Sequence, residues 1–137
     1  MTDSAFVLVD SNIIIDIVRR DPVWADWSVD TLSQFKNARI NPIVYAELCY
    51  QQTSPDEVDK LLEALELEYS ELPSEALFLA SQAFRKYREA GGAKTSPLPD
   101  FFIGAHAAAL GFPLLTRDPT RYKNYFPMIQ LITPSSL

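Results

Sequence analysis

The chain has 137 residues, enough for one domain (residues 1–137) with a sizeable core. A composition 47% hydrophobic and 22% charged excludes a disordered tail, and no apolar run nears the ~20 residues of a membrane span. The formal charge of −6 argues against a nucleic-acid partner at first sight, but setting aside four acids singled out below leaves 14 acidic against 12 basic residues, so charge discriminates weakly.

Met1-Thr2-Asp3-Ser4 lacks the basic start of a signal peptide, which makes the cytoplasm the expected location. Ala5–Val9 is a continuous apolar run of strand length, as in a central strand covered on both faces. Ser11-Asn12 offers cap chemistry for a helix over about 12–20, stopped near Asp21-Pro22. A second helix is expected over about 23–35, with Trp24 and Trp27 on one face. Residues 38–41 read as a weak strand, and Pro42 opens a helix to about Gln52. The lone cysteine, Cys49, falls on that helix as a small core residue and excludes both an internal disulfide and a thiolate zinc site.

Ser54-Pro55-Asp56-Glu57 has capping-box spacing and proline at the first helical position; Val58, Leu61, Leu62 and Leu65 form the buried stripe of the helix that follows. Residues 67–72 suit a further strand. Ser74 precedes a long helix with a stripe of Leu77, Ala80, Phe84 and Tyr87, ended by Gly91-Gly92. Pro99-Asp100 then starts an Ala-rich helix that stops at Gly111, and residues 112–116 and 128–133 are strand-like. Strands alternating with helices imply an α/β fold, a parallel sheet flanked by helices on both faces. Such sheets bind ligands beyond the carboxyl ends of their strands.

Four acids lie at the edges of apolar segments: Asp10 after Phe6–Val9, Glu47 within Ile43–Leu48, Asp100 before Phe101–Ala105, and Asp118 after Leu114–Arg117. Each has an ordinary explanation. Asp10 would cap a helix, Asp100 would gain roughly 0.3–1 kcal/mol from a helix dipole, Asp118-Pro119 would start a turn, and Glu47 would be a solvated helix residue. Together these explanations weaken, because four independent coincidences would have to fall on one edge of one sheet, and an unpaired buried carboxylate is costly. Convergence would create an oxygen-rich site for a hard divalent cation.

Other residues read more plainly. His106, the sole histidine, lies six positions after Asp100 and points away from it on a helix, as a packed or surface residue. Arg85, Lys86 and Arg88 read as a solvated helix face. Asp16 is expected to face solvent or pair with Arg19 or Arg20. Trp24, Trp27, Tyr45, Tyr50 and Phe101 read as core or as a self-association surface.

Leu8-Val9-Asp10-Ser11-Asn12-Ile13-Ile14-Ile15-Asp16, Tyr45-Ala46-Glu47-Leu48, Asp100-Phe101-Phe102-Ile103-Gly104-Ala105-His106-Ala107 and Leu115-Thr116-Arg117-Asp118 resemble, in order and spacing, the motifs of the PIN-domain family. The first and third are fairly specific; the second and fourth are weak alone. The single-domain size resembles VapC-like toxins of toxin–antitoxin pairs. The resemblance implies a five-stranded parallel sheet and a magnesium- or manganese-dependent endoribonuclease. Asp10, Glu47, Asp100 and Asp118 then take the positions of an acidic quartet supported by Asn12 and Thr116. It further implies a homodimer and a small VapB-type antitoxin as partner.

On that basis Asp10 and Asp100 are expected to hold the principal ion, Asp118 to complete or bridge it, and Glu47 to orient or deprotonate the attacking water. Arg117 and Arg121 are candidate phosphate contacts. Two other readings stand beside this one. A non-catalytic partner-binding module would keep the fold without cleavage. An aspartyl-phosphate phosphotransfer enzyme would use Asp10, although Asn12 replaces the second aspartate of haloacid-dehalogenase-type phosphatases and Arg117 follows the late strand where a receiver module needs lysine.

Overall fold

The computed structural model describes residues 6–134. Five strands, β1 (Val7–Val9), β2 (Ala38–Ile40), β3 (Glu68–Tyr69), β4 (Leu114–Leu115) and β5 (Leu131–Ile132), form one parallel sheet in the order β3-β2-β1-β4-β5. Seven helices join them: α1 (Ser11–Val18), α2 (Ala25–Leu32), α3 (Pro42–Cys49), α4 (Pro55–Ala64), α5 (Ser74–Glu89), α6 (Pro99–Leu110) and α7 (Thr120–Tyr125). This is the expected α/β architecture. The Ala5 end of the first predicted strand lies outside the described residues. Among the described residues, no helix is long and apolar enough to cross a membrane.

Strand order reverses at β1. The chain moves outward through β2 and β3, then crosses back to β4 on the other side. Right-handed crossovers put the helices before that return on one face of the sheet and those after it on the other. β1 is wholly buried, as a strand covered on both faces must be, which explains its unbroken Val-Leu-Val run.

Register fixes what meets at the sheet's carboxyl edge. Leu8 pairs with Arg39 and Leu114, and Val9 with Leu115. The next residue on each inner strand, Asp10, Asn41 and Thr116, therefore reaches the same level, and all three are buried. The reversal at β1 and this row of polar side chains coincide.

Several elements differ from expectation in instructive ways. α1 starts at Ser11, because Asp10 itself caps it through a bond from the Ser11 amide. In α5 the buried face is Ala76, Ala80 and Ala83, whereas the predicted Leu77 is 45% exposed. Small residues bring α5 close to α6, which is buried almost all round, and this explains the Ala-rich sequence of α6. α7 is too short and polar for helical periodicity to reveal; it is held by Tyr122 and Phe126, both 1% exposed.

Gly104 of α6 makes that docking possible. A Cβ there would stand 2.5 Å from the Phe126 ring and 3.1 Å from the Tyr122 ring. Gly104→Ala is expected to destabilise the fold by ~1–3 kcal/mol through overpacking, despite alanine's better helix propensity. Urea denaturation of the variant checks this; a gain in stability would show that α7 yields freely.

Candidate active site at the carboxyl edge of the sheet

Asp10 is 4% exposed and accepts bonds from three elements. Its Oδ1 takes the Ser11 amide at 2.8 Å. Its Oδ2 takes the Thr116 hydroxyl and the Tyr122 phenol, each at 2.8 Å, with the Asn12 amide more distant at 3.4 Å. Thr116 has one proton to give, so it donates to Asp10 while accepting from Asn12 and from the Asp118 amide. The network reaches all four predicted acids. Tyr122 Oη lies 3.5 Å from Asp100 Oδ1, Asn12 Nδ2 lies 3.3 Å from Asp118 Oδ2, and the Ser11 hydroxyl donates to Glu47 Oε1 at 2.8 Å.

Burial, above all, pushes the Asp10 carboxyl up to about 6; the Tyr122 and Thr116 bonds oppose the rise, and the charges of Asp100 and Glu47 add to it. Glu47 and Asp100 are also raised, first by burial, with Asp100 partly relieved by the Arg121 guanidinium 3.5 Å away. Crowding of like charge is thus real, and desolvation exceeds it. Tyr122 is pushed well above the usual phenol value by burial and by Asp10, so its hydroxyl stays a donor.

One expectation changes. Asp16 neither faces solvent nor pairs with Arg19 or Arg20; it is 4% exposed and gripped by both Nε and Nη2 of Arg117, the latter at 3.1 Å. Fork-to-carboxylate pairing of this kind fixes geometry. It ties α1 to the loop after β4, whose Arg117 amide also donates to Asn12 Oδ1 at 3.3 Å. Arg117 Nη1 also reaches Asp118 Oδ1 at 3.6 Å, and Arg121 lies at the mouth, its guanidinium 5.9 Å from the Tyr87 ring and 5.7 Å from that of Phe101.

Sequence reasoning missed Tyr122, Ser11 and the role of Asp16. Only Tyr122, an aromatic four residues after Asp118, left a trace, and that trace is weak. His106 is packed as expected: it is fully buried, its Nδ1 3.2 Å from the Asn41 amide, and Asn41 caps α3. Desolvation lowers its pKa and keeps it neutral. Cys49 packs at the edge of the core, Phe101 lies within it, and Tyr50 is 88% exposed.

A divalent ion suits the donor set. Carboxylate oxygens are hard ligands, and Asp10 Oδ1 has a single donor, leaving a lone pair. Asp100 and Asp118 keep side-chain exposures of 42% and 69%. No three His, Cys, Asp or Glu side chains among the described residues are arranged to close around an ion by themselves. Magnesium needs no such cage, because it retains waters and takes one or two carboxylates plus substrate phosphate.

A profile of the PIN domain matches residues 7–126. The chain belongs to the PIN domain family. No curated protein sequence matches it significantly. Among solved structures, the fold is similar to that of VapBC2 from Rickettsia felis bound to a promoter DNA fragment, at 19% identity and TM-score 0.70, over 95% of this chain and 99% of that one. It is similar to DNA-bound VapBC from Salmonella typhimurium, at 18% identity and TM-score 0.70, over 94% and 98%. FitAcB from Neisseria gonorrhoeae is similar at 19% identity and TM-score 0.66, over 96% and 99%. PIN domains are generally nucleases that use divalent metal ions.

The Asp10 shift makes a pH prediction. Its folded-state value of about 6 lies above the unfolded value, so the folded protein holds that proton more tightly. The resulting stabilisation is complete below pH ~4 and is lost as pH rises through ~6, on the order of 2–3 kcal/mol in all. Metal-free protein should therefore show this loss in urea melts between pH 4 and 7, and Asp10→Asn should remove it. Identical slopes for the two proteins would mean that Asp10 is not the titrating group.

Proposed function

We propose that this PIN domain is a magnesium- or manganese-dependent endoribonuclease, the toxin of a VapBC-like pair, acting in the cytoplasm. The observation that carries the reading is the buried Asp10 carboxylate at the sheet's reversal point, joined by hydrogen bonds through Asn12 and Ser11 to Asp118 and Glu47, with Asp100 3.5 Å from the Tyr122 phenol that donates to Asp10. Asp10 and Asp100 would hold the ion, with Asp118 completing its shell. When bound, the ion supplies an acidified water and offsets charge on the scissile phosphate.

The chain's own groups supply the rest. Glu47 accepts the proton from the water that adds to phosphorus as the bond to the leaving ribose oxygen breaks. Its raised pKa brings it closer to working pH, as suits a general base. Ser11 holds that carboxylate in place. Thr116 and Tyr122 keep Asp10 oriented, and Arg121 turns from Asp100 to a substrate phosphate. A single-stranded or looped RNA offers a backbone that can enter such a crevice.

The similarity to VapBC assemblies supports a VapB-type antitoxin as partner; a homodimer as the chain's own state is the further part of this reading. Titration of the purified chain with the product of a neighbouring small reading frame tests the first, and sedimentation of the isolated chain tests the second.

Cleavage of a panel of transfer, ribosomal and messenger RNAs should require Mg²⁺ or Mn²⁺ and stop with chelator. Asp10→Asn and Asp100→Asn should each lower the rate by about 10² or more, while metal-free Asp10→Asn at pH 7.5 melts no lower than wild type because a buried charge is gone. Wild-type protein that cuts no RNA under these conditions, yet binds a partner, would make the chain a non-catalytic module.

A further inference from the structure

Charge is segregated along this chain. Residues 85–137 hold seven of the 12 Lys and Arg but three of the 18 Asp and Glu, a net charge of +4, whereas residues 1–84 hold −10. Two of those three acids are Asp100 and Asp118, which belong to the acidic site.

Part of this segment packs around an aromatic cluster. The Tyr87 ring lies 5.9 Å from that of Phe84, 5.6 Å from Phe101 and 6.4 Å from Tyr125. Arg121 lies over the Tyr87 and Phe101 rings on the side that reaches Asp100. Tyr125 also lines a cleft of about 300 Å³ between α5 and the segment after α7, together with Gln82, Arg85, Lys86, Glu89 and Met128. Neither Arg85 nor Lys86 forms an ion pair with another described residue. Arg88, by contrast, donates to the Lys94 carbonyl at 2.8 Å and is occupied.

A solvated helix face needs no cleft, and in an acidic protein the cheapest place for two cations is beside carboxylates. Here they outnumber the single carboxylate, Glu89, around a concavity with an aromatic wall, a few side chains from the mouth of the acidic site. Positive charge that follows a backbone, beside rings that meet bases, is how proteins hold single-stranded nucleic acid without reading its sequence.

We propose that the α5–α7 cleft is an accessory binding site for single-stranded RNA, in which Arg85 and Lys86 hold backbone phosphate and Tyr125 flanks a base next to the cleavage point. The strand runs from the acidic crevice across Arg121 into the cleft. This inference rests on the ribonuclease reading of the acidic site.

The test uses labelled single-stranded RNA of mixed sequence and Asp10→Asn protein, expected to hold RNA without cutting it, with fluorescence anisotropy as readout. The double reversal R85E/K86E is expected to raise Kd about tenfold or more, and to flatten the slope of log K against log salt by about 1.4. R19E/R20E, an equal change in net charge at the far end of α1, should do much less. In the cleaving protein, R85E/K86E should raise KM and spare kcat. Equal effects of the two reversals would overturn the proposal, since overall charge alone would then be at work. A reversal that alters sedimentation but not RNA affinity would also overturn it, making the cleft a self-association face. If wild type cuts RNA and R85E/K86E leaves KM alone, only the accessory site falls; if wild type cuts none, the ribonuclease reading falls first.

Discussion

An aspartate with almost no access to water, at the end of the central strand, governs the rest of this molecule. Burying an ionised carboxylate without partners costs far more than a small domain's net stability. Asp10 is tolerated because donors converge on it from the start of α1, the end of β4 and the middle of α7. Each donor is in turn placed by packing: Thr116 by the Val9–Leu115 register, and Tyr122 by the seat that Gly104 leaves open. The polar edge and the apolar core are therefore one construction.

Much of this was legible in the sequence, for reasons that particular residues make clear. Val7–Val9 announces a strand buried on both faces, and Ser54-Pro55 announces a helix start, because in each case local chemistry and the final environment agree. The four acids stood out because they interrupt apolar segments at places where a sheet edge would gather them. Asp16 was misread because its partner, Arg117, lies 101 residues away, and nothing near it in sequence hints at that pairing. Leu77 was misread because α5 is packed through alanines, and a periodicity search favours the larger side chain. α7 escaped because six residues, mostly polar, carry no repeat to detect.

Family membership and fold settle different questions from the site. At 17–20% identity, the VapBC-like structures establish a shared architecture, and one architecture hosts many chemistries. What sets this site apart is local: carboxyls held above their ordinary pKa, a phenol kept protonated between two of them, and an arginine resting on Asp100 at the mouth. The Asp16–Arg117 clamp adds rigidity where the loop after β4 must present Asp118.

The long reach of these contacts bears on when the polar edge can form during synthesis. Thr116 and Tyr122 lie 106 and 112 residues downstream of the aspartate they steady. A chain that has emerged only as far as α5 has its first carboxylate without its phenol, its threonine or its two later acids. The polar edge therefore cannot be completed by the amino-terminal elements alone; it closes only when the second half of the sheet and α7 have docked.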